Sequence, residues 1–227
     1  MGDLVFCVAL PEEAKIIRRA LQSCDPVLRD RVSIITTGMG AERAARHIGK
    51  RLDTVSAHQP AAVILSGFAG GLNPELKAGS AVIHSERSDI FPEWGDLSGL
   101  CDHTGRYYSS TRIIGTPAEK SELFNQTGHD AVDMESAGIL EACEKFEVPA
   151  TVVKAISDEA GEHLPVDFTP YIDKNGFISY SRLIGGLSVK PQQLPSMLKL
   201  ARKSSLCSNR LIAIFSQWIP QFLGKRV

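Results

Sequence analysis

Short apolar runs alternate with stretches of helical periodicity along this chain. Residues 4–10 form a β-type run. Pro11 then stands where a first helical turn tolerates proline, and residues 14–21 continue as a helix. Residues 32–36 are β-rich, Gly38-Met39-Gly40 breaks the run, and residues 41–52 return to helical spacing. Residues 61–65 are continuously apolar, as in a strand buried on both faces. The glycine-rich stretch at 66–71 reads as a strand-to-helix turn after it, or as a place where backbone approaches a ligand closely. Residues 81–84 and 131–134 are short strands, the second running into a helix that ends near Phe146, and residues 151–156 are the last clear core strand. Strands alternating with helices predict βαβ units and an α/β fold with a mainly parallel sheet.

Ligands in such sheets bind beyond the carboxyl ends of the strands. The unusual residues fall at those ends: Glu12 and Glu13, residues 38–40, residues 66–71, Asp133 and Glu135, Ser157 and Asp158. Two regions are less regular. Residues 86–110 are rich in Asp, Gly, Ser and aromatics, including Phe91, Trp94, Tyr107 and Tyr108, and read as a binding loop or a plain insertion. After Asp158, a turn signal at 173–176 precedes two amphipathic helices at 194–203 and 209–223. The chain reads as one domain, 1–227, with a C-terminal helical appendage from about residue 190.

Composition narrows the function. The 227 residues are 43% hydrophobic and 22% charged, with a formal net charge of −1 and no basic block. Nucleic-acid binding by bulk electrostatics is therefore not expected. The five cysteines form no CxxC pair, which predicts free thiols in a cytoplasmic protein. The six histidines show no HxH or HxxxH pair, so neither a metal nor another cofactor is expected. The N-terminus lacks the pattern of a signal peptide, and the apolar run at 211–215 is too short to span a bilayer. Residues 209–223, with Phe215, Trp218 and Phe222, offer either a core-packing face or one that lies on a membrane.

Each candidate site residue also has a structural role open to it. Glu12 and Glu13 suit a helix's first turn by charge alone. Gly38 and Gly40, with Arg43, open a helix and suit either a turn or an anion. Ser157 and Asp158 end a buried strand, as a cap pair or as a proton donor and its support. Asp133 and Glu135 flank Met134 as a helix start, or as carboxylates held out for a cis-diol.

Taken together, "ALPEEAKII", "TTGMGAERA", "LSGFAGGL", "AVDMESAGI" and "VVKAISDEA" resemble, in order and spacing, the nucleoside phosphorylase superfamily and its methylthioadenosine/S-adenosylhomocysteine nucleosidase branch. The C-terminal third, with "TPAEKSEL", is similar to the hopanoid-associated phosphorylase subgroup, which implies removal of adenine from adenosylhopane. The resemblance implies a three-layer α/β sandwich with a central mixed sheet, assembled as a dimer or higher oligomer. It implies cleavage of the N-ribosyl bond of a purine nucleoside. Glu135 would hold the ribose hydroxyls, with Met134 against the sugar. Asp158, steadied by Ser157, would serve the purine N7, and Glu13 rather than Glu12 would polarise the attacking water. Gly38, Gly40, Arg43, Ala69 and Gly70 would line the nucleophile side, with water or phosphate as co-substrate. Ser157, Phe68 and Thr116 would line the base. Phe68 stands where the nucleosidases carry a small hydroxyl residue. No arginine lies between Ile64 and Leu72 to grip phosphate, and the aromatic that stacks on adenine is missing near Thr116, so Phe91 or Trp94 would replace it. A nucleoside-binding protein without catalysis is the alternative from another class.

Overall fold

The computed structural model describes residues 3–54, 59–84, 97–189 and 191–224. Phe91 and Trp94 lie outside them. The elements run β1 (Leu4–Val8), α1 (Pro11–Leu21), α2 (Pro26–Arg29), β2 (Val32–Thr36), α3 (Ala41–Thr54), β3 (Ala62–Gly71) and β4 (Ala81–His84). There follow β5 (His103–Gly105), β6 (Tyr107–Ser109), α4 (Pro117–Thr127), β7 (Ala131–Asp133), α5 (Ser136–Lys145), β8 (Ala150–Asp158), α6 (Tyr180–Val189) and α7 (Leu194–Gly224).

Among the described residues, eight strands form one sheet in the order β2-β1-β3-β8-β4-β5, with β7 on β3 and β6 on β7. The pairs β1–β2, β1–β3, β3–β8, β4–β5 and β6–β7 are parallel, whereas β3–β7 and β4–β8 are antiparallel. The sheet is thus mixed and largely parallel, as the resemblance implies.

Side-chain alternation along the central strands builds two cores. Leu4, Phe6, Val8, Ala62, Ile64, Val153 and Ala155 pack with α1 and α7. Val5, Cys7, Val63, Leu65, Val152 and Ile156 pack with α3 and α5. Successive side chains of a strand point to opposite faces, so strands apolar at every position require a helical layer on each side. That requirement produces the three-layer sandwich.

Three expectations are corrected. The glycine stretch at 66–71 is no turn: it continues β3, pairing with β8 and, at Gly70 and Gly71, with β7. The two C-terminal helices are one, α7, of 31 residues. Nor is it an appendage, because Phe215, Trp218 and Phe222 are fully buried in the core with β1 and α1. Those rings therefore do not present a face to a membrane. Among the described residues, no helix is long and apolar enough to cross one. Part of the irregular region is also ordered sheet, since Tyr107 lies in β6 and its hydroxyl donates to the Val82 carbonyl at 2.6 Å.

Candidate active site

A cavity of about 240 Å³ opens at the carboxyl ends of the central strands. Glu13, Met39, Phe68, Ala69, Gly70, Asp133, Met134, Glu135, Ser157 and Asp158 all line it. Each is placed by local structure. Pro11 starts α1 and puts Glu13 at the third helical position, where its carboxylate closes back on the Leu10 N–H at 2.9 Å. Glu12, one residue earlier, is exposed.

Glu13 is buried and accepts two further backbone bonds of 2.9 Å, from Ala9 and Phe68. Burial pushes its carboxyl up to about 7, against the pull of Lys154 and of the Leu10 and Phe68 N–H groups. The Phe68 bond requires β3 to pass against the carboxylate, and Gly67 makes that passage. Its φ is +145°, and a Cβ there would collide with the Glu13 carboxylate. Gly67→Ala therefore displaces Glu13. The expected cost is about 1–3 kcal/mol of stability together with a loss of activity, read from melting curves and turnover of the same preparation.

Glu135 stands at the N-cap position of α5 without a side-chain cap bond, and the Asp133 carboxylate serves the helix start instead. The Asp133 carboxylate accepts the Ser136 N–H at 3.1 Å and the Ser136 hydroxyl at 2.6 Å. Lys154, fully buried in β8, donates to Asp133 at 2.7 Å and to Glu135 Oε2 at 2.9 Å. Burial works against its charge, but Asp133, Glu135 and Glu13 outweigh it and raise its pKa above the ordinary lysine range. Glu135 Oε1 accepts the Gly40 N–H at 3.1 Å. Each Glu135 oxygen thus has one partner and keeps a free lone pair, so two acceptors remain side by side for a diol.

At Asp158 the β3–β8 register shifts: Ala69 pairs with Ile156, but Gly70 pairs with Asp158. The extra residue in β8 turns both Ser157 and Asp158 toward the cavity, a re-aiming that bulges commonly produce. The Ser157 hydroxyl lies 2.6 Å from Asp158 Oδ1 and 3.3 Å from the Ala69 carbonyl. Lys120, fully buried on α4, donates to Asp158 Oδ2 at 2.5 Å.

Four sequence-predicted residues do not line the cavity, Gly40 among them, whose N–H is spent on Glu135. Thr116 does not line the cavity. It is the N-cap of α4, its hydroxyl accepting from the Glu119 N–H and lying 2.8 Å from that carboxylate. Arg43 does not line it either, because its guanidinium donates to the carbonyls of Met39 and Lys174, both at 2.8 Å. It ties the glycine loop to the 173–176 turn and is not held out for an anion. Gly38 serves that junction too, since a Cβ there would strike the Asn175 carbonyl. The apolar wall of the cavity comes instead from Ile113, Ile114, Leu164, Phe168, Ile178 and Leu200.

A family model described as the Phosphorylase superfamily matches residues 26–91 and 100–175, more than half of the chain. The chain belongs to the phosphorylase superfamily. Within it, the 5'-methylthioadenosine/S-adenosylhomocysteine nucleosidase of Shewanella pealeana is 25% identical over 63% of this chain and 76% of its own length. That of Geobacillus kaustophilus is 24% identical over 82% and 96%. Among solved structures, the Streptococcus pneumoniae nucleosidase with a transition-state inhibitor superposes with a TM-score of 0.62 at 14% identity, over 94% of this chain and 98% of that one. A futalosine hydrolase of Helicobacter pylori gives 0.52 at 16% identity, over 69% and 89%. These structures share the fold.

Two site residues of this superfamily member escaped the sequence reading. Lys154 left a signal, a lysine inside the apolar run "VVKAI". Lys120 left none, because a lysine one turn into a capped helix reads as solvated.

Proposed function

We propose that this protein hydrolyses the N-ribosyl bond of a purine nucleoside carrying an apolar 5′ substituent. The observation that carries the reading is the convergence of Glu13, Glu135 and Asp158 on one cavity from three separate parts of the chain. Cleavage of a ribosyl bond passes through an oxocarbenium-like state, which requires a stabilised leaving base and a nucleophile below the sugar. Glu135 holds the 2′- and 3′-hydroxyls, with Met134 against the ribose. Asp158 serves N7 as the C1′–N9 bond breaks and its electrons move onto the base. Glu13 takes the proton of the water that bonds to C1′, and a carboxyl at about 7 is poised for that task at neutral pH.

Water is favoured over phosphate by charge. Glu13, Asp133 and Glu135 surround the sugar side, and Lys154 is engaged by the last two. Among the described residues, Arg112 is the one arginine or lysine lining the cavity, and it bonds Glu119 at 2.5 Å. A phosphate dianion would meet three carboxylates there, and among the described residues the one cation lining the cavity is already paired with Glu119. The wall of Leu164, Phe168, Ile178 and Leu200 suits an apolar substituent, either a methylthio group or the hydrocarbon of adenosylhopane.

The test incubates the protein with adenosine, 5′-methylthioadenosine and adenosylhopane, with and without phosphate, and measures free adenine. Phosphate-independent release is expected, fastest with an apolar 5′ group. Binding without release from any of the three refutes the enzyme reading in favour of a nucleoside-binding protein. Release that requires phosphate refutes hydrolysis.

A further inference from the structure

We propose that Lys120 is the positioning residue of Asp158, pinning one carboxyl oxygen of the group that faces the base. The inference rests on the functional reading above for its catalytic part, and on geometry alone for the coupling.

Lys120 is the one buried residue of α4. A lysine is almost never fully buried unless it is paired, since taking an ammonium out of water costs several kcal/mol. Its ammonium has three N–H donors and three acceptors meet it: Asp158 Oδ2 at 2.5 Å, the Glu159 carbonyl at 2.7 Å and the Glu162 carbonyl at 3.3 Å. The helix start sets this aim. Thr116, Pro117 and Glu119 form a capping box with proline in the first turn, which fixes the direction from which the lysine enters.

The two Asp158 oxygens are thereby made unequal. Oδ2 is held by a buried cation that does not line the cavity, and Oδ1 meets the Ser157 hydroxyl at the cavity wall. Charge-assisted contacts of this length are strong and directional, so the carboxylate cannot rotate freely about its last torsion.

The other charges around the pair are already partnered. On α7, Lys199 at 3.0 Å and Lys203 both bind the Glu162 carboxylate; despite burial, the Lys203 contact, the Glu159 N–H and Lys199 hold its carboxyl down at about 2. The Glu159 carboxylate takes the Ala78 N–H at 3.2 Å and lies 3.6 Å from Lys77. On α4, the Thr116 hydroxyl and Arg112 hold Glu119 at about 2. Burial pushes the Cys207 thiol of α7 up to about 11. His163 lines the adjoining polar cavity beside Glu162 and Lys203. Glu13, on the opposite side of the site, is the carboxyl near 7.

The test uses the full chain with ¹³C-labelled aspartate carboxyls, which leaves Glu13 silent; the Asp158 signal is assigned by its loss in Asp158→Asn. In Lys120→Met the Asp158 carboxyl signal, read at one fixed pH, is expected to move from its position in the unaltered protein, because the ammonium contact is gone. Lys120→Arg, which keeps the charge, is expected to restore that position. With 5′-methylthioadenosine, kcat of Lys120→Met falls about tenfold or more while KM stays within about threefold, because the acid is misplaced and the ribose contacts are not. Lys120→Gln supplies the same comparison should the methionine variant not fold. An Asp158 signal that does not move, or an unchanged kcat, overturns the proposal. If the unaltered protein releases no adenine, the functional reading fails, and the Asp158 signal still decides the coupling.

Discussion

Asp158→Asn lowers the rate of base release by about 10²–10⁴-fold, the range for loss of one positioned proton donor. The amide keeps the shape of the carboxyl and still offers hydrogen bonds to N7, but it cannot hand over a proton. Nucleoside binding therefore persists, because Glu135 and the apolar wall are unchanged. The same substitution replaces the carboxyl that buried Lys120 donates to with an amide. Breaking a buried pair from one side costs about 3–5 kcal/mol, so the melting temperature falls as well. Adenine release and calorimetric binding on one folded preparation check both halves. Near-normal turnover would sink the role given to Asp158.

Glu13→Gln produces the second large effect, a similar loss of turnover with a changed response to pH. The base form of Glu13 is the carboxylate. With its carboxyl at about 7, kcat/KM of the unaltered protein rises with pH through that value, and the variant loses this limb. Stability carries the opposite sign. A carboxyl raised from 4.5 to about 7 binds its proton more tightly in the native state than in the unfolded chain. Its contribution is fully present below pH 4.5 and is lost as pH rises through 7, by about 3 kcal/mol. Glu13→Gln flattens that decline. A kcat/KM profile across neutral pH that is the same with and without Glu13 would exclude it as the base.

Most of the site was legible in the sequence because its acids follow strand ends. Glu13, Glu135, Ser157 and Asp158 are local features, a carboxylate after Pro11 or polar residues ending an apolar run, and Met134 lies between two such acids. The supports were not legible. Lys120 meets Asp158 across 38 residues, and Lys154 meets Glu135 across 19, so no local pattern records either contact. Thr116 and Arg43 misled for a related reason. Both have polar groups near the right motifs, and both use them on neighbouring backbone or a helix cap.

The same division runs through the fold. Residues 66–71 read as a turn because glycine weakens a strand by itself. Pairing with β8 on one side and β7 on the other holds the segment extended. Residues 204–208 read as a gap between helices because serine and cysteine are modest helix formers. Cys207 and Leu211 are fully buried there, and that packing carries α7 through the gap.

By itself, the sequence determined the α/β class, six of the eight described strands and the acids at the strand ends, since these follow from periodicity and from residues close in the chain. Only the tertiary structure decided which of those groups share a cavity, which cations steady them and where the C-terminal helix packs. Burial and ion pairing join residues far apart in the chain, and their energies exist only once the chain has closed around them.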